Sequence, residues 1–151
     1  MTIEDIPALR ADCWHDIPEV HCREHLRQVQ RFAEKNRGIG VVVVGEDGKT
    51  LNGYGQILTW GKCGEISDLI ISDSCRSRGF GTALIQYLTG AARSLNLPCV
   101  ELGAAESNPR ARTLYERLGF QYSYTLLLNT GRGDEPVHYL HLRLDADSPG
   151  A

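Results

Sequence analysis

The sequence predicts one α/β (α+β) domain in which helices pack against a mixed β-sheet. Three observations support this fold class. Apolar runs in the first half are separated by short glycine-containing turns, as in hairpin-linked strands. Two apolar-periodic helical segments then each lead into a further strand, and two alternating strands close the chain. With 151 residues the chain is long enough to bury a core as a single domain, which we expect over residues 1–145 with a frayed tail at 146–151.

The first half of the chain combines two helices with three strands. The four-valine run Val41–Val44 is followed by Asp47 and Gly48, a pair typical of a tight hairpin turn. Glycines at positions 61 and 64 mark a second turn. The elements predicted here are helices over residues 4–14 and 21–36 and strands over residues 41–44, 51–60 and 65–72.

The second half contains two more clearly marked helices. Apolar residues spaced three or four apart from Phe80 to Leu95 predict an amphipathic helix, which a short strand over residues 98–104 follows. The next helix is marked at both ends: Asn108 suits the N-cap, Pro109 the first helical position and Gly119 the left-handed stop. Strands over residues 120–128 and 136–144, joined by a polar loop, complete the order.

Composition excludes several functional classes. The net charge of −3 and the isoelectric point near 5.9 argue against nucleic acid as a partner, because a phosphate backbone needs a basic surface. No apolar run is long enough for a membrane span. The acidic start lacks the features of a secretory signal, and the five scattered cysteines include no CxxC pair. We therefore expect a cytoplasmic protein with reduced thiols.

The stretch from Arg76 to Thr82 has the properties of an anion site. Its sequence, RSRGFGT, joins a predicted strand to the start of a predicted helix. Backbone N–H groups are unpaired at such a helix start, and the helix dipole favours a negative group there. Gly79 and Gly81 allow close approach, while Arg76 and Arg78 add positive charge.

Two common phosphate-binding loops do not match this stretch. The GxxxxGK[ST] pattern is absent, and a GxGxxG fingerprint would need glycine where the chain has Leu84. On the residues of the turn alone, the alternative of a glycine-rich turn with two solvated arginines stays open.

Two distant motifs together identify a family resemblance. The turn matches R-x-x-G-x-G/A at Arg76, Gly79 and Gly81. The later helix matches N-x-x-A-x-x-x-Y-x-x-L-G-F, and the expected helix and strand separate the two motifs. Over residues 39–144 the chain thus resembles the GNAT superfamily of acyl-CoA-dependent N-acyltransferases. The residues matching the second motif are Asn108, Ala111, Tyr115, Leu118, Gly119 and Phe120.

The resemblance implies a fold and a cofactor site. The fold would be a mostly antiparallel sheet with two splayed parallel strands, although MTIED leaves almost no room for the strand that usually opens the family. Acetyl-CoA would be the co-substrate, and no metal is expected. The turn would hold the pyrophosphate of coenzyme A, and the preceding strand would offer backbone groups to its pantetheine arm. The implied cofactor-binding residues are Leu69, Ile70, Ile71, Arg76, Ser77, Arg78, Gly79, Phe80, Gly81, Thr82 and Asn108.

The resemblance also implies proton-transfer roles. Tyr115 would be the general acid for the departing thiolate, although its apolar neighbours equally suit a tyrosine packed in the core. Glu65 would be the general base, with Asp68 or water as alternatives and an exposed strand-end carboxylate as the simplest reading. In a regular strand Glu65 and Asp68 face opposite sides, but the resemblance implies a bulge on this strand, which could break that rule. Asn108 would act both as N-cap and as a cofactor contact.

The implied activity is direct acetyl transfer from acetyl-CoA to a primary amine of a small molecule or peptide. A non-catalytic acyl-CoA sensor with the same fold is the alternative, and a homodimer is also possible.

HCREH resembles the HxxEH zinc pattern, but it lacks a third ligand, so we favour a solvated helix face. Acidic residues in the first two helices and the last loop suggest a cationic acceptor. These residues could equally be ordinary surface acids with no role in binding. These acids are Glu4, Asp5, Asp12, Asp16, Glu19, Glu24, Asp134 and Glu135.

Overall fold

Helices precede the first strand of the structure, a computed structural model that describes residues 2–44, 47–131 and 133–144. The tail predicted at 146–151 lies outside the described residues. A short 3₁₀ helix, Ile3–Asp5, leads into α1, and residues 2–37 contain no strand. The elements are α1 (Ile6–Asp12), α2 (Glu19–Glu34), β1 (Gly38–Val44), β2 (Leu51–Trp60), β3 (Cys63–Ile71), a 3₁₀ turn (Asp73–Cys75), α3 (Phe80–Ser94), β4 (Cys99–Ala105), α4 (Pro109–Arg117), β5 (Gln121–Asn129) and β6 (Asp134–Arg143).

The described strands form one six-stranded sheet in the order β1-β2-β3-β4-β6-β5. All neighbours are antiparallel except β3 and β4, which run parallel. The predicted fold class, a mixed and mostly antiparallel sheet flanked by helices, is confirmed. No helix among the described residues is both long and apolar enough to cross a membrane.

Helices cover the two faces of the sheet separately. On one face, α3 and α4 bury Leu84, Leu88 and Tyr115 against Ile66 and Val100. On the other face, α1 and α2 form a second cluster over β2, built around Leu9, Leu26 and Tyr54. Strand β5 lies at the sheet edge and is exposed along its whole length, which its alternating sequence did not predict.

The last predicted helix, α4, has the ends expected from its sequence. The Asn108 side chain accepts a hydrogen bond from the backbone N–H of Ala111 at 3.3 Å, and Pro109 is the first helical residue. Gly119 has a φ of +93°, the left-handed conformation that ends the helix without steric cost. Local side-chain chemistry therefore sets both ends of α4.

The prediction that all five cysteines are reduced is wrong. Cys63 and Cys99 form a disulfide with a Cα–Cα separation of 4.8 Å. They are the first residues of the two parallel strands, and the next residues, Gly64 and Val100, are register partners. Because 36 positions separate the two cysteines along the chain, spacing could not reveal the pair. The cysteine count therefore no longer argues for a reducing compartment.

Candidate active site

Strands β3 and β4 separate soon after they begin to pair. Their parallel register runs only from Gly64 to Ile66 on β3, opposite Val100 to Leu102 on β4. Beyond this point β3 stays on β2, and the N–H of Ser72 donates to the Asn52 carbonyl at 2.9 Å. The sheet thus opens into a split between the end of β3 and the end of β4.

A bulge on β3 lies where the split opens. The β2–β3 register skips between Tyr54 and Gln56, whose partners are Ile70 and Ser67. Asp68 lies in the bulge with a φ of +52°, a conformation that costs a non-glycine residue roughly 1–3 kcal/mol. The bulge breaks the strict alternation of faces, so Ser67 and Asp68 both reach the amide of Gln56. The bulge that the family resemblance implied is present.

The turn after β3 presents a row of backbone donors. Ser77 and Gly79 have φ values of +62° and +82°, and α3 begins at Phe80. Helical bonding resumes where the N–H of Ala83 donates to the Gly79 carbonyl at 3.0 Å. Within the described part of the chain, the N–H groups of residues 77–82 have no protein acceptor. Such a concave run of N–H groups at a helix start favours a phosphate.

An open cleft of about 820 Å³ joins this turn to the end of β3 and to α4. Most of the residues predicted to bind cofactor line it, together with Tyr115. Arg78 and Phe80, which were also predicted to bind the cofactor, do not line the cleft. The predicted residues on its wall are Leu69, Ile70, Ile71, Arg76, Ser77, Gly79, Gly81, Thr82, Asn108 and Tyr115.

Two arginines on the cleft wall were missed from the sequence. Arg110 and Arg117 lie on α4, and the Arg110 guanidinium donates to the Ser77 hydroxyl at 3.3 Å. Their spacing of seven residues places both on one helix face, a signal that was available. By contrast, the Arg76 guanidinium is partly occupied by Asp73 at 3.0 Å. The positive charge of the cleft therefore comes from both α4 and the turn.

The residues of the cleft fit a long, flexible, polyanionic ligand. A Cβ added to Gly81 would lie 3.7 Å from Leu114 and 3.9 Å from Ile71. The absence of a side chain at Gly81 therefore leaves room for a ligand along this wall. Gly81 lies inside α3, so the left-handed glycine of this stretch is Gly79. Unpaired N–H groups at one end and apolar strand residues at the other match a phosphate attached to a less polar arm.

Tyr115 is both a core residue and a cleft residue. Its side chain is 7% exposed, and its ring lies 6.4 Å from that of Phe120. Burial raises the pKa of the phenol above its usual value near 10. The hydroxyl therefore keeps its proton throughout the neutral range, as a proton donor must.

Glu65 does not line the cleft that contains Tyr115. It is half-buried, its parallel register partner is Glu101, and Ile66, the next residue, points into the α3 core. Burial, followed by the charges of Glu101 and Asp68, raises the pKa of the Glu65 carboxyl. Glu65 and Tyr115 are thus brought to opposite faces of the sheet, on either side of the split.

Two tyrosines and a second carboxylate surround Glu65. The Tyr124 hydroxyl donates to the Glu101 carboxylate at 3.0 Å, and its ring stacks on Tyr139 with centroids 4.9 Å apart. Burial and this hydrogen bond raise the pKa of Tyr124 to about 12. The parallel register of β3 and β4 therefore places Glu101 beside Glu65.

His25 of the HCREH stretch lies against the sheet, whereas His21 is exposed. The Nε2 atom of His25 is 3.2 Å from the Tyr54 hydroxyl and 3.6 Å from the Asp68 carboxylate. Among the described residues, no group of three or more histidine, cysteine or acidic side chains could hold a metal ion.

Several solved structures share this fold at low sequence identity. Ribosomal-protein-alanine N-acetyltransferase from Brucella melitensis has a TM-score of 0.78 at 19% identity, covering 95% of this chain and 97% of its own. A mutant of spermidine N-acetyltransferase from Vibrio cholerae has a TM-score of 0.74 at 21% identity, with coverages of 95% and 92%. An aminoglycoside 6′-N-acetyltransferase complexed with coenzyme A has a TM-score of 0.70 at 18% identity, with coverages of 93% and 88%.

The family of this chain is shown by a match of its sequence to a family model and not by the structural similarities. The family model described as the acetyltransferase (GNAT) family matches residues 4–120, which include β3, the phosphate-binding type of turn and all of α4. The split parallel strands and the cleft beside them lie within or directly beside this match. The chain belongs to the acetyltransferase (GNAT) family.

Proposed function

We propose that this protein transfers an acetyl group directly from acetyl-CoA to a primary amine of a small molecule or peptide. One observation supports this most strongly: a single cleft is lined by the turn with its unpaired N–H groups, by the end of β3 and by Tyr115. A phosphate site alone would not need a buried proton donor at its far end.

Each wall of the cleft has a distinct binding role in this proposal. The N–H groups of residues 77–82, with Arg76 and Arg110, would hold the pyrophosphate. The backbone of Leu69 to Ile71 would align the pantetheine arm, and Asn108 would contact the same arm while capping α4. The bound co-substrate supplies an acetyl thioester, and the protein supplies orientation and proton transfer.

Two residues would move protons. The transfer forms a C–N bond and breaks a C–S bond, so the amine must lose a proton and the thiolate must gain one. Glu65, whose raised pKa makes it a stronger base than an exposed glutamate, would take the amine proton. Tyr115 would donate its hydroxyl proton to the departing sulfur.

The acceptor would approach from the Glu65 face. Glu65, Asp68 and Glu101 make that face negative, which favours an amine that arrives as an ammonium ion. Among proteins of similar fold, two carry spermidine and ribosomal-protein alanine in their names, so small-molecule and peptide amines are both proposed.

Thiol release from acetyl-CoA across a panel of amines tests this function. The panel should include a diamine, a polyamine, an amino sugar and a peptide with a free N-terminus. We expect thiol release that depends on one class of amine, with a matching acetylated product by mass spectrometry. Thermal stabilisation by coenzyme A without turnover on any amine would instead support the non-catalytic sensor. Absence of both stabilisation and turnover would contradict both functions.

A further inference from the structure

Asp68 is held in its left-handed conformation by a side chain of the neighbouring strand. It is the one non-glycine residue with positive φ inside a described strand, because Asn36, Ser77 and Asn96 lie between elements. The bulge it occupies fixes where β3 departs from regular pairing with β2. The residues that follow directly, Leu69 to Ile71, form one wall of the cleft.

Gln56 on β2 makes this contact with its whole amide group. Its Nε2 donates to the Asp68 carboxylate at 2.7 Å and to the Ser67 hydroxyl at 2.9 Å. Its Oε1 accepts from the Tyr54 hydroxyl at 2.8 Å. Because the amide is 3% exposed and all its polar atoms have partners, its orientation is fixed. Rotating it by half a turn would place its oxygen against a carboxylate.

Tyr54 and His25 extend the hydrogen-bond network of Gln56. Tyr54 is fully buried, and His25 of α2 lies 3.2 Å from its hydroxyl and 3.6 Å from the Asp68 carboxylate. Asp68 is thus approached by a side chain of the sheet and by one of a helix. The network ties α2, β2 and the bulge together.

The opposite face of the bulge is also closely fitted. Gly55 is the β2 residue that the register skips, and a Cβ there would lie 3.0 Å from Leu69. The side chain of Leu69 therefore sits directly over Gly55. Shifting the bulge by one residue would remove Leu69 from this position and move the cleft wall.

We propose that Gln56 is a positioning residue for the acyl-bearing arm of the co-substrate. By holding Asp68, it fixes the bulge and so sets the direction in which the backbone of Leu69 to Ile71 faces the cleft. This inference rests on the proposed function. It predicts a selective defect, since the turn at residues 76–82 is built separately from the bulge.

Calorimetric titration with two ligands tests the proposal. Under the proposed function, acetyl-CoA would contact both the turn and the β3 wall, whereas adenosine 3′-phosphate 5′-diphosphate, its nucleotide fragment, would reach only the turn. Gln56→Met keeps the side-chain volume and removes the amide. We expect its Kd for acetyl-CoA to rise about tenfold or more, as for a lost hydrogen bond to a charged group. Its Kd for the fragment should stay within about twofold of wild type.

Ser67→Ala is the matched control, because it removes the other acceptor of the same Gln56 amide group and leaves Asp68 held. Its Kd for acetyl-CoA should stay within about twofold of wild type. Asp68→Ala breaks the same contact from the exposed side and serves if Gln56→Met does not fold. The double variant Gln56→Met/Asp68→Ala should have a Kd for acetyl-CoA no higher than that of either single variant, because both changes remove the same hydrogen bond.

Two results would overturn the proposal: an unchanged Kd for acetyl-CoA in Gln56→Met and Asp68→Ala, or an equal loss for acetyl-CoA and the fragment. The second result would indicate general destabilisation. Wild-type protein that binds neither ligand would instead contradict the proposed function, so the two failures are distinguishable.

Discussion

Tyr115 and Glu65 have opposite proton roles in the proposed reaction, and their surroundings differ accordingly. Tyr115 is buried in an apolar core, which keeps its hydroxyl protonated. Glu65 lies beside Glu101 and Asp68, whose charges and the burial of the site favour proton uptake. The two side chains can therefore be tested separately.

Tyr115→Phe should remove the acid without disturbing the core. The ring stays packed near Phe120, so the melting temperature and the Kd for acetyl-CoA should barely change. We expect kcat to fall roughly 10²–10⁴-fold if thiolate departure limits the rate. Tyr87→Phe, at an exposed tyrosine, is the control and should keep full activity. Full activity of Tyr115→Phe would show that the residue serves packing alone.

Glu65→Gln should lower kcat/KM most on the acidic side of the pH profile, where the amine still carries its proton. Raising the pH should partly restore this variant, because more acceptor is then already neutral, but should not restore Tyr115→Phe in the same way. Glu101→Gln should move the acidic limb to lower pH by removing one charge that raises the pKa of Glu65. Glu34→Gln, on the exposed end of α2, is the control. A profile of Glu65→Gln parallel to wild type at every pH would exclude Glu65 as the base.

The raised pKa of Glu65 favours its activity as a base but lowers the stability of the fold at neutral pH. A group whose native pKa is raised stabilises the fold at pH values below its ordinary value, 4.5 for Glu65, and loses this contribution as the pH rises through the native pKa. Ionised Glu65 therefore destabilises the native state at neutral pH. Glu65→Gln should melt at a higher temperature than wild type at pH 7 while being less active.

At the scale of elements, ligand binding at the start of α3 should depend on free space more than on any one charge. Gly81→Val would place a branched side chain on the cleft wall near Leu114 and Ile71, where a Cβ itself makes only ordinary contacts. The fold should persist and the affinity for acetyl-CoA should collapse. Arg78→Ala should cost much less, because Arg78 is exposed and does not line the cleft. Isothermal titration of both variants checks this, and normal binding by Gly81→Val would show that the site is misplaced.

The disulfide closes the end of the parallel pair that lies opposite the split. It joins Cys63 to Cys99 across 36 positions, and such a crosslink stabilises by about 2–4 kcal/mol. Urea unfolding of wild type should shift to lower midpoint on reduction, toward the Cys63→Ser/Cys99→Ser double variant. That double variant should not respond to reductant. Equal midpoints for reduced and oxidised wild type would contradict a stabilising role.

Element types and helix ends could be predicted where the signal is local. Asn108, Pro109 and Gly119 specify α4 through their own backbone and side-chain chemistry. The Cys63–Cys99 pair and the hold of Gln56 on Asp68 could not be predicted, because each depends on which strands become neighbours. Strand pairing is decided by tertiary packing, and no short stretch of sequence encodes it.

At the scale of the whole molecule, the sheet separates the two halves of the proposed reaction. Helices α3 and α4 enclose the cleft on one face, while Glu65 and Glu101 lie on the other face. The split between β3 and β4 is an opening in the sheet that connects the two faces. The sequence predicted both Tyr115 and Glu65 but not this separation, because the face of a strand residue depends on the register of the assembled sheet.

In the proposed function, the acetyl group passes directly through this split from acetyl-CoA to an amine. A single-turnover reaction with excess protein, followed by intact-mass and product mass spectrometry, tests it most directly. We predict that the protein mass is unchanged after incubation with acetyl-CoA alone, and that adding the amine releases one coenzyme A thiol for each acetylated amine formed. Of the described free cysteines, buried Cys75 is the one on the cleft wall, so a two-step route through a cysteine would acetylate this thiol. Protein that gains the mass of one acetyl group before the amine is added, and then loses it to the amine, would contradict the account.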